Sequence, residues 1–401
     1  MKILFADAID SACLDNLADK GHEVIFKPTL TADALSDHTA DAAVVVVRST
    51  KVTSAVFESA PNLSMVIRAG AGVDNIDTEA ASTAGVYVCN VPGRNAVAVA
   101  ELTMALLLAS DRHIADGAAD LRSGEWDKSR YSKADGLHGK SLALVGLGEI
   151  GLAVAERAKA FGIAVRAVRK ERPKAVAGRI RSIGIRLVDD IDTLLANADI
   201  VSLHVPGNDD TKNMIDGKFL AKLPDGAIIL NTSRGDCVDP EALLDALNNR
   251  GMKAGLDVWP DEPRTGQTTW RSSLSTHPSV VGSHHIGAST QQAQRSIAMG
   301  TVAVIDEFSK GNVINCVNLQ AEADGTSWIA VRHADKVGVL AQIFQVLRSN
   351  GLNVQQMENQ VFSGGGAAVA TIHLDGHCTD QLVSDLAAIE EVLGVSLTTH
   401  K

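Results

Sequence analysis

Three side chains with complementary chemistry stand in the second half of the sequence, each a few residues beyond a short apolar run typical of a β-strand: Arg234, Glu262 and His285. Histidine has an intrinsic pKa suited to a general base. A carboxylate against its second ring nitrogen would fix the tautomer and stabilise the imidazolium. An arginine can bind a carboxylate through two parallel hydrogen bonds. Each residue alone would more often be an ordinary surface or loop residue, but together they predict oxidation of a hydroxy acid.

A glycine-rich segment earlier in the chain predicts the partner for that oxidation. Gly146, Gly148 and Gly151 form a G-x-G-x-x-G pattern between the predicted strand Ser141–Val145 and the predicted helix Leu152–Phe161. The first glycine allows a tight turn, the second lets backbone N–H groups approach a pyrophosphate, and the third allows the helix to pack closely on the strand. The positive end of the helix dipole favours the same anion. We therefore predict a nicotinamide dinucleotide here rather than a glycine-rich turn without a ligand.

The residue that follows the next predicted strand bears on which dinucleotide binds. Ala164–Val168 is followed by Arg169, where loops that bind NAD usually carry an acid for the ribose 2′-hydroxyl. An arginine there can pair with the 2′-phosphate of NADP instead. The alternative is a solvated run of charges, Arg169–Arg172. The cofactor is predicted as NAD or NADP, with NADP(H) use as the hypothesis.

The elements that must position these residues alternate between short apolar runs and amphipathic stretches, which indicates two doubly wound, Rossmann-like α/β domains. The first series of predicted strands is Lys2–Ala6, Glu23–Phe26, Ala43–Val47, Leu63–Arg68 and Val86–Cys89. The second series is Ser141–Val145, Ala164–Val168, Ile200–Leu203, Ala227–Asn231 and Ala254–Leu256, followed by the short Ser279–Val281. Ligands of such sheets bind at the carboxyl ends of the strands, where the three candidate catalytic residues stand.

Two further segments complete the predicted architecture. Val97–Ser110 is expected to be a long helix, apolar nearly all round and so buried in a core or a subunit interface. Ala321–Ser327 is small and polar, as a linker should be. Beyond it, strands, helices and an apolar run are predicted at Trp328–Arg332, Gly338–Asn350, Ala367–Leu374, Gln381–Leu393 and Val395–Leu397. This order favours β-α-β-β-α-β, a C-terminal ferredoxin-like α+β domain.

Composition and charge exclude several classes of function. The chain of 401 residues is 45% hydrophobic and 21% charged, with a net charge of −11, which argues against nucleic-acid binding. The longest apolar stretch is too short to cross a membrane. The 5 cysteines are scattered without a C-x-x-C pair, as in a reduced cytoplasmic enzyme. His277, His284 and His285 lack metal-site spacing, so no metal is predicted.

Five motifs give the sequence a resemblance to a known family. They are RAGAGVDNID (68–77), VGLGEIG (145–151), NTSRGDCVD (231–239), GLDVWPDEP (255–263) and HHIGAST (284–290). The chain resembles the D-2-hydroxyacid dehydrogenases, and within them the members that oxidise a phosphorylated three-carbon acid in serine biosynthesis. The resemblance implies the catalytic roles above for Arg234, Glu262 and His285. It also implies a discontinuous substrate-binding domain (1–94 and 291–320), a nucleotide-binding domain (95–290), and a dimer-forming role for the Val97–Ser110 helix.

The resemblance implies further contacts. For the substrate, Arg48 and Arg68 would bind a phosphate, while Gly70 and Gly72 would offer backbone N–H groups in a small-residue turn. Lys128 or Arg130 of a neighbouring subunit would assist. The alternative for each arginine is a surface salt bridge. The cofactor contacts, besides the loop glycines and Arg169, are implied for Ala71, Glu149, Ile150, Thr232 and Asp257, the last on the nicotinamide side.

The C-terminal segment, residues 325–401, resembles an ACT domain, a regulatory module for small molecules. By that resemblance His333, Asp335 and Asn353 would hold an amino-acid effector such as L-serine at the interface of a homodimer or homotetramer. Two positions depart from the usual pattern, since Asp335 stands where asparagine is common and Val337 where proline is. A purely structural role in dimerisation is the alternative.

Two other functions are compatible with the sequence. Arg169 also favours an NADPH-dependent glyoxylate or hydroxypyruvate reductase, which the ACT-like segment disfavours. A protein of a different class, a dinucleotide-sensing corepressor with this fold, could carry the same Arg/Glu/His set. Hydride transfer to a 2-oxo acid would separate the enzymes from the sensor.

Overall fold

The computed structural model describes residues 1–263, 267–319, 327–376 and 378–399, of which 398 and 399 are described by their backbone alone. The chain forms two compact units, Met1–Asn318 and Leu319–Lys401. Of the predicted linker, 321–326 lie outside the described residues, as does the start of the predicted ACT domain at 325 and 326. Within the described ranges, no helix is long and apolar enough to cross a membrane.

The first sheet of the larger unit is parallel, with the strand order β2-β1-β3-β4-β5. Its strands are β1 (Lys2–Phe5), β2 (Glu23–Phe26), β3 (Val44–Val47), β4 (Met65–Arg68) and β5 (Tyr87–Asn90). The connecting helices are α1 (Ser11–Asp19), α2 (Ala32–Leu35), α3 (Ser54–Ser59) and α4 (Thr78–Thr83). β3 consists of buried valines, because a central parallel strand is covered on both faces and β-branched residues pack well there.

The second sheet is also parallel, in the order β12-β11-β10-β9-β6-β7-β8. Its strands are β6 (Ser141–Val145), β7 (Ala164–Val168), β8 (Arg186–Val188), β9 (Ile200–Leu203), β10 (Ile228–Asn231), β11 (Lys253–Leu256) and β12 (Val280–Gly282). The helices along this part are α5 (Ala96–Arg112), α6 (Ile114–Ser123), α7 (Lys128–Tyr131), α8 (Glu149–Ala160), α9 (Lys174–Ile183), α10 (Ile191–Leu195), α11 (Gly217–Ala221) and α12 (Pro240–Asn249). The order extends that of the dinucleotide-binding Rossmann sheet by one strand.

Two helices tie the larger unit together. The long predicted helix is α5, and Leu106 and Leu107 pack it into the core of the second sheet. After β12 the chain enters α13 (Gln291–Ser309), whose Ile297 and Val302 pack into the core of the first sheet. The chain therefore returns to its first sheet before the smaller unit begins. β8 was not predicted, because it has only 3 residues and a single buried side chain.

The smaller unit is an antiparallel sheet in the order β14-β15-β13-β16 with two helices. Its elements are β13 (Ser327–Ala334), α14 (Val339–Ser349), β14 (Asn353–Val361), β15 (Ala367–Asp375), α15 (Asp380–Ala387) and β16 (Val392–Thr399). The element order is the predicted β-α-β-β-α-β. The prediction of a helix to Leu393 was wrong: α15 ends at Ala387, and Val392 already pairs with His333 as part of β16.

Candidate active site

The predicted catalytic residues lie beyond the carboxyl ends of three neighbouring strands. Arg234 follows β10, Glu262 follows β11 and His285 follows β12. Adjacent parallel strands end on the same edge of a sheet, so their loops can meet there. The structure brings all three side chains together, and each influences the ionisation of another.

The imidazole of His285 and the carboxylate of Glu262 form a short hydrogen bond between Nδ1 and Oε1. This hydrogen bond raises the pKa of His285 against the opposing effect of burial. Burial raises the pKa of Glu262, but the hydrogen bond and charge of His285 outweigh it, so its pKa lies below its usual value. Both directions favour a protonated imidazole beside an ionised carboxylate. Because Nδ1 faces Glu262, the other ring nitrogen, Nε2, is left to exchange a proton with a substrate.

The loop that carries His285 is held by Asp257 at the end of β11. Asp257 Oδ1 accepts hydrogen bonds from Ser283 Oγ at 2.6 Å and Ile286 N at 2.8 Å, and Oδ2 accepts one from Gly287 N at 2.9 Å. The backbone N–H of His285 also donates to the Asp257 carbonyl at 2.7 Å. Asp257 is only 1% exposed. The structure thus gives this carboxylate protein partners of its own, where the resemblance implied the nicotinamide side.

Trp259 is an organising residue that the sequence analysis did not single out. Its indole ring lies beside Gly282, where an added Cβ would be 2.2 Å from Cζ2. Its carbonyl oxygen lies beside Gly235, where an added Cβ would be 2.1 Å from that oxygen. Its Nε1 donates to the Ser283 carbonyl at 2.8 Å, and its backbone N donates to Glu262 Oε2 at 3.1 Å. Trp259 therefore contacts all three catalytic loops, that of His285 through its side chain and those of Arg234 and Glu262 through its backbone. The signals in the sequence were Gly235, Gly282 and the motif that contains Trp259.

The guanidinium of Arg234 is bound to Asp74, another residue the sequence analysis missed. Nε and Nη2 of Arg234 donate to Asp74 Oδ2 at 2.9 and 2.6 Å. Gly72 leaves room for this approach, because a Cβ there would lie 2.2 Å from Arg234 Nη2 as it is placed. Asp74 comes from the loop after β4, so this ion pair joins loops of the two sheets. An acid inside a predicted substrate loop was the available signal.

The arginines predicted to bind a phosphate lie on the side of the first sheet. Arg68 Nε donates to the Arg48 carbonyl at 3.2 Å. Burial, with the charge of Arg234 as the next cause, lowers the pKa of Arg68 to about 10. Gly70 is required beside it, since a Cβ there would lie 2.0 Å from Arg68 Nη1. Asp7 orients the Arg48 loop by accepting backbone N–H groups of residues 48 to 50. Three arginines thus share one region of the site.

The glycine loop has the geometry that its pattern predicts. Gly146 has a φ of +103°, and a Cβ there would lie 2.2 Å from the carbonyl oxygen of His204. A Cβ on Gly151 would lie 2.2 Å from the Gly146 oxygen, whereas one on Gly148 would meet nothing within 4 Å. Gly148 precedes α8 and makes no side-chain cap. A pyrophosphate fits such a loop, because open space lies in front of the backbone N–H groups that begin the helix.

The other predicted cofactor residues occupy different settings. Glu149 begins α8 and its Oε2 accepts a hydrogen bond from Arg179 at 2.7 Å, while Ile150 packs partly into the core. Thr232 is buried with its hydroxyl 2.9 Å from that of Thr103. The Ala71 carbonyl accepts a hydrogen bond from Asn90 at 2.6 Å. Arg169 is 63% exposed at the end of β7, with Nε 3.2 Å from Asp189 Oδ1.

The predicted effector residues do not come together within one chain. His333 is buried, with its ring nitrogens 2.8 Å from the Ala334 carbonyl and 3.0 Å from Asn359 Oδ1. Asp335 is exposed just beyond it. Asn353 pairs with Asp375 at one end of the sheet, whereas His333 pairs with Ala368 at the other. In the larger unit, Lys128 and Arg130 lie on the exposed helix α7, and Arg130 pairs with Asp120 at 3.1 Å.

The comparisons with known proteins decide the family. Residues 104–287 match the model described as D-isomer specific 2-hydroxyacid dehydrogenase, NAD binding domain. Hydroxypyruvate reductase of Thermotoga maritima is 40% identical over 301 residues, 75% of this chain and 95% of that protein. This chain belongs to the D-isomer specific 2-hydroxyacid dehydrogenase family. The resemblance predicted from the motifs is confirmed.

A further relative and a solved structure are also similar to this dehydrogenase. D-3-phosphoglycerate dehydrogenase of Methanocaldococcus jannaschii is 40% identical over 331 residues, which is 81% of this chain and 61% of that one. The chain thus spans about three fifths of that relative's length. Among solved structures, an acyclic imino acid reductase in complex with NADPH and D-Arg superposes with a TM-score of 0.69 at 25% identity. The superposition covers 79% of this dehydrogenase and 100% of the reductase chain.

Proposed function

We propose that this dehydrogenase is a D-3-phosphoglycerate dehydrogenase, which interconverts 3-phosphoglycerate and 3-phosphohydroxypyruvate as the first step of serine biosynthesis. The observation that carries the proposal is the set of three arginines, Arg48, Arg68 and Arg234, beside the His285–Glu262 pair. One arginine suffices for the carboxylate of a 2-hydroxy acid. The other two suit a second, doubly charged group such as a phosphate. The relative from Methanocaldococcus jannaschii bears this name.

In the proposed reaction, Arg234, His285 and Glu262 have different roles. Arg234 binds the substrate carboxylate and polarises the neighbouring C2 oxygen. His285 accepts the C2 hydroxyl proton through Nε2 during oxidation and returns it during reduction. Glu262 stabilises the imidazolium that forms. A nicotinamide dinucleotide held by the glycine loop would supply the hydride acceptor for C2 in the oxidation.

The cofactor would be held by the loop of Gly146, Gly148 and Gly151, whose geometry fits a pyrophosphate. Arg169 favours the 2′-phosphate of NADP, so we propose that NADP(H) is used alongside or in preference to NAD(H). The family model describes an NAD-binding domain, and the similar imino acid reductase holds NADPH. We further propose residues 95–290 as the nucleotide-binding domain, and 1–94 with 291–320 as the substrate-binding domain. The two sheets and the return of α13 support this division.

The phosphate assignment is tested with Arg48→Ala. No described residue accepts a hydrogen bond from the Arg48 guanidinium, so a phosphate has an open partner there. We expect KM to rise at least about tenfold for phosphohydroxypyruvate, with little change for hydroxypyruvate. The matched control is Lys51→Ala, which removes the same charge from an exposed position three residues away. Equal effects on both substrates would remove the phosphate assignment and favour the alternative, an NADPH-dependent hydroxypyruvate reductase like the Thermotoga maritima relative.

For the smaller unit we propose an ACT-type regulatory role in a homodimer or homotetramer. β14 has 9 residues, so Asn353 lies about 25 Å from the end where Asp335 stands. An effector that contacts both must therefore lie between two copies of the chain. Exposed Ile114, Leu121 and Trp126, on and just beyond α6 in the larger unit, also suit a subunit interface. The test is a titration of activity with L-serine and other amino acids. No response to any of them would favour a purely structural unit.

A further inference from the structure

Arg234, which the proposed function assigns to the substrate carboxylate, already has a carboxylate partner within the protein. Its Nε and Nη2 donate to the same oxygen of Asp74, at 2.9 and 2.6 Å. Its Nη1 donates to the Ser233 carbonyl at 2.7 Å. Three of the five N–H groups of the guanidinium therefore have acceptors in this structure, and the Nε/Nη2 edge is taken by Asp74. A substrate carboxylate that binds this edge has to replace Asp74.

Two glycines leave the space through which Arg234 reaches Asp74. Gly72 stands beside it, where a Cβ would lie 2.2 Å from Arg234 Nη2 and 2.9 Å from Asp74 Oδ2. On the other side, a Cβ on Gly207 would lie 2.9 Å from Arg234 Cγ. The arginine thus passes between two glycines to reach the acid. Its side chain is 31% exposed and that of Asp74 is 48% exposed, so a small anion from solvent can reach the pair.

We propose that Asp74 occupies the place of the substrate carboxylate on Arg234, and that a 2-oxo or 2-hydroxy acid binds by displacing it. The two carboxylates are chemically alike and use the same edge of the guanidinium, Nε and Nη2. In the empty site, Asp74 neutralises one of three clustered arginines and keeps the guanidinium oriented. Substrate binding then exchanges one ion pair for another. Asp74 is thus a determinant of substrate affinity, acting through Arg234.

The test is Asp74→Asn, which keeps the shape of the side chain and removes its charge. We expect KM for phosphohydroxypyruvate to fall about two- to fivefold, the scale of a half-exposed ion pair, while kcat stays within about twofold of wild type. The dissociation constant of oxalate, measured by titration calorimetry with the dinucleotide present, should fall by the same factor. Oxalate is not reduced, so this measurement does not depend on turnover. Asp74→Ser serves as a second variant that also removes the charge.

The matched control is Asp77→Asn, in the same loop. Asp77 caps α4 by accepting the Ala80 N–H at 3.0 Å, and asparagine caps a helix equally well. The control removes the same charge without touching Arg234, so KM and oxalate binding should not change. The proposal is overturned if Asp74→Asn raises KM, or if both variants change it equally. Because the inference rests on the proposed function, wild-type turnover is measured first. A wild type inactive on every 2-oxo acid refutes that function, whereas an active wild type with an unaltered Asp74→Asn variant refutes only the exchange.

Discussion

Asp257 Oδ2 accepts the backbone N–H of Gly287 at 2.9 Å, two residues beyond the histidine proposed as general base. Together with the bonds to Ser283 and Ile286, this contact fixes a loop in which His285 has a φ of +53°. A left-handed backbone is unfavourable for most residues and persists only where the surroundings impose it. The buried acid is therefore the residue that positions the histidine.

Asp257→Asn should disturb this loop although its shape is nearly unchanged. One of the two accepting oxygens is replaced by an NH2 group, which cannot accept a hydrogen bond. Either Gly287 N–H or the pair of donors Ser283 Oγ and Ile286 N–H then loses its acceptor. We expect kcat to fall about 100-fold and the free energy of unfolding to fall by about 1–3 kcal/mol, as measured by steady-state kinetics and denaturant unfolding. Asp261→Asn is the control, because Asp261 is exposed and asparagine tolerates its φ of +55°. A variant with wild-type kcat and stability would show that the loop does not depend on Asp257.

Glu262→Gln should move the pH dependence of both reaction directions to lower pH. In the native pair the hydrogen bond to Glu262 holds the pKa of His285 above 6.5. Oxidation requires neutral His285, so its kcat/KM rises as the pH passes upward through that pKa. Reduction requires the protonated form, so its kcat/KM falls over the same range. Without the carboxylate the pKa returns toward its ordinary value, and both limbs shift downward.

The measurement is kcat/KM against pH in both directions for wild type and Glu262→Gln. We also expect kcat to fall about 100-fold, because the amide no longer stabilises the imidazolium. The control is Glu241→Gln in the first turn of α12, whose side chain forms no hydrogen bond or ion pair with the described residues of the site. If the limbs of Glu262→Gln stay at their wild-type positions, His285 is not the titrating group.

Arg169→Asp should shift cofactor preference toward NAD(H). The arginine is exposed at the end of β7, where a 2′-phosphate would add a charge-assisted hydrogen bond. We expect the ratio of kcat/KM for NADPH to that for NADH to fall about 10- to 100-fold. Arg172→Ala removes a charge from the same loop and should leave the ratio nearly unchanged. Among the described residues, the Arg172 guanidinium hydrogen-bonds the Lys170 carbonyl alone, at 3.1 Å. An unaltered ratio in Arg169→Asp would place Arg169 outside cofactor recognition.

Trp259→Phe should loosen the packing of the loop that carries His285, which the Trp259 side chain contacts. The smaller ring leaves a void beside Gly282 and loses the 2.8 Å hydrogen bond to the Ser283 carbonyl. We expect the free energy of unfolding to fall by about 1–3 kcal/mol, and kcat to fall more than KM changes. Trp270, which packs edge-on against Trp259 with ring centroids 5.5 Å apart, provides the control Trp270→Phe. That variant should lose some stability but keep kcat, and equal losses of kcat would contradict the special role of Trp259.

The sequence by itself determined the parallel α/β class, the glycine loop and the family. These features depend on local patterns: apolar runs such as β3 form buried strands, and Gly151 leaves room for the carbonyl of Gly146 in the same turn. The sequence identified Arg234, Glu262 and His285 as candidate catalytic residues, because the ends of strands can be recognised from the pattern of apolar residues. Neighbouring parallel strands end at one edge of the sheet, so residues that follow them lie close together. The helix α15 was predicted too long because nothing local marks where β16 begins to pair with β13.

Only the tertiary structure decided which residues face those three. Asp74 lies 160 positions from Arg234, and no spacing rule links them, since the ion pair forms where loops of two separate sheets meet. Trp259 and Asp257 stand in recognisable motifs, but their partners come from a loop more than 20 residues away. The separation of Asn353 from Asp335 was also decided by the tertiary structure, because Asn353 pairs with Asp375 at the opposite end of the sheet. Contacts between distant segments depend on how sheets and loops pack, which a local pattern does not encode.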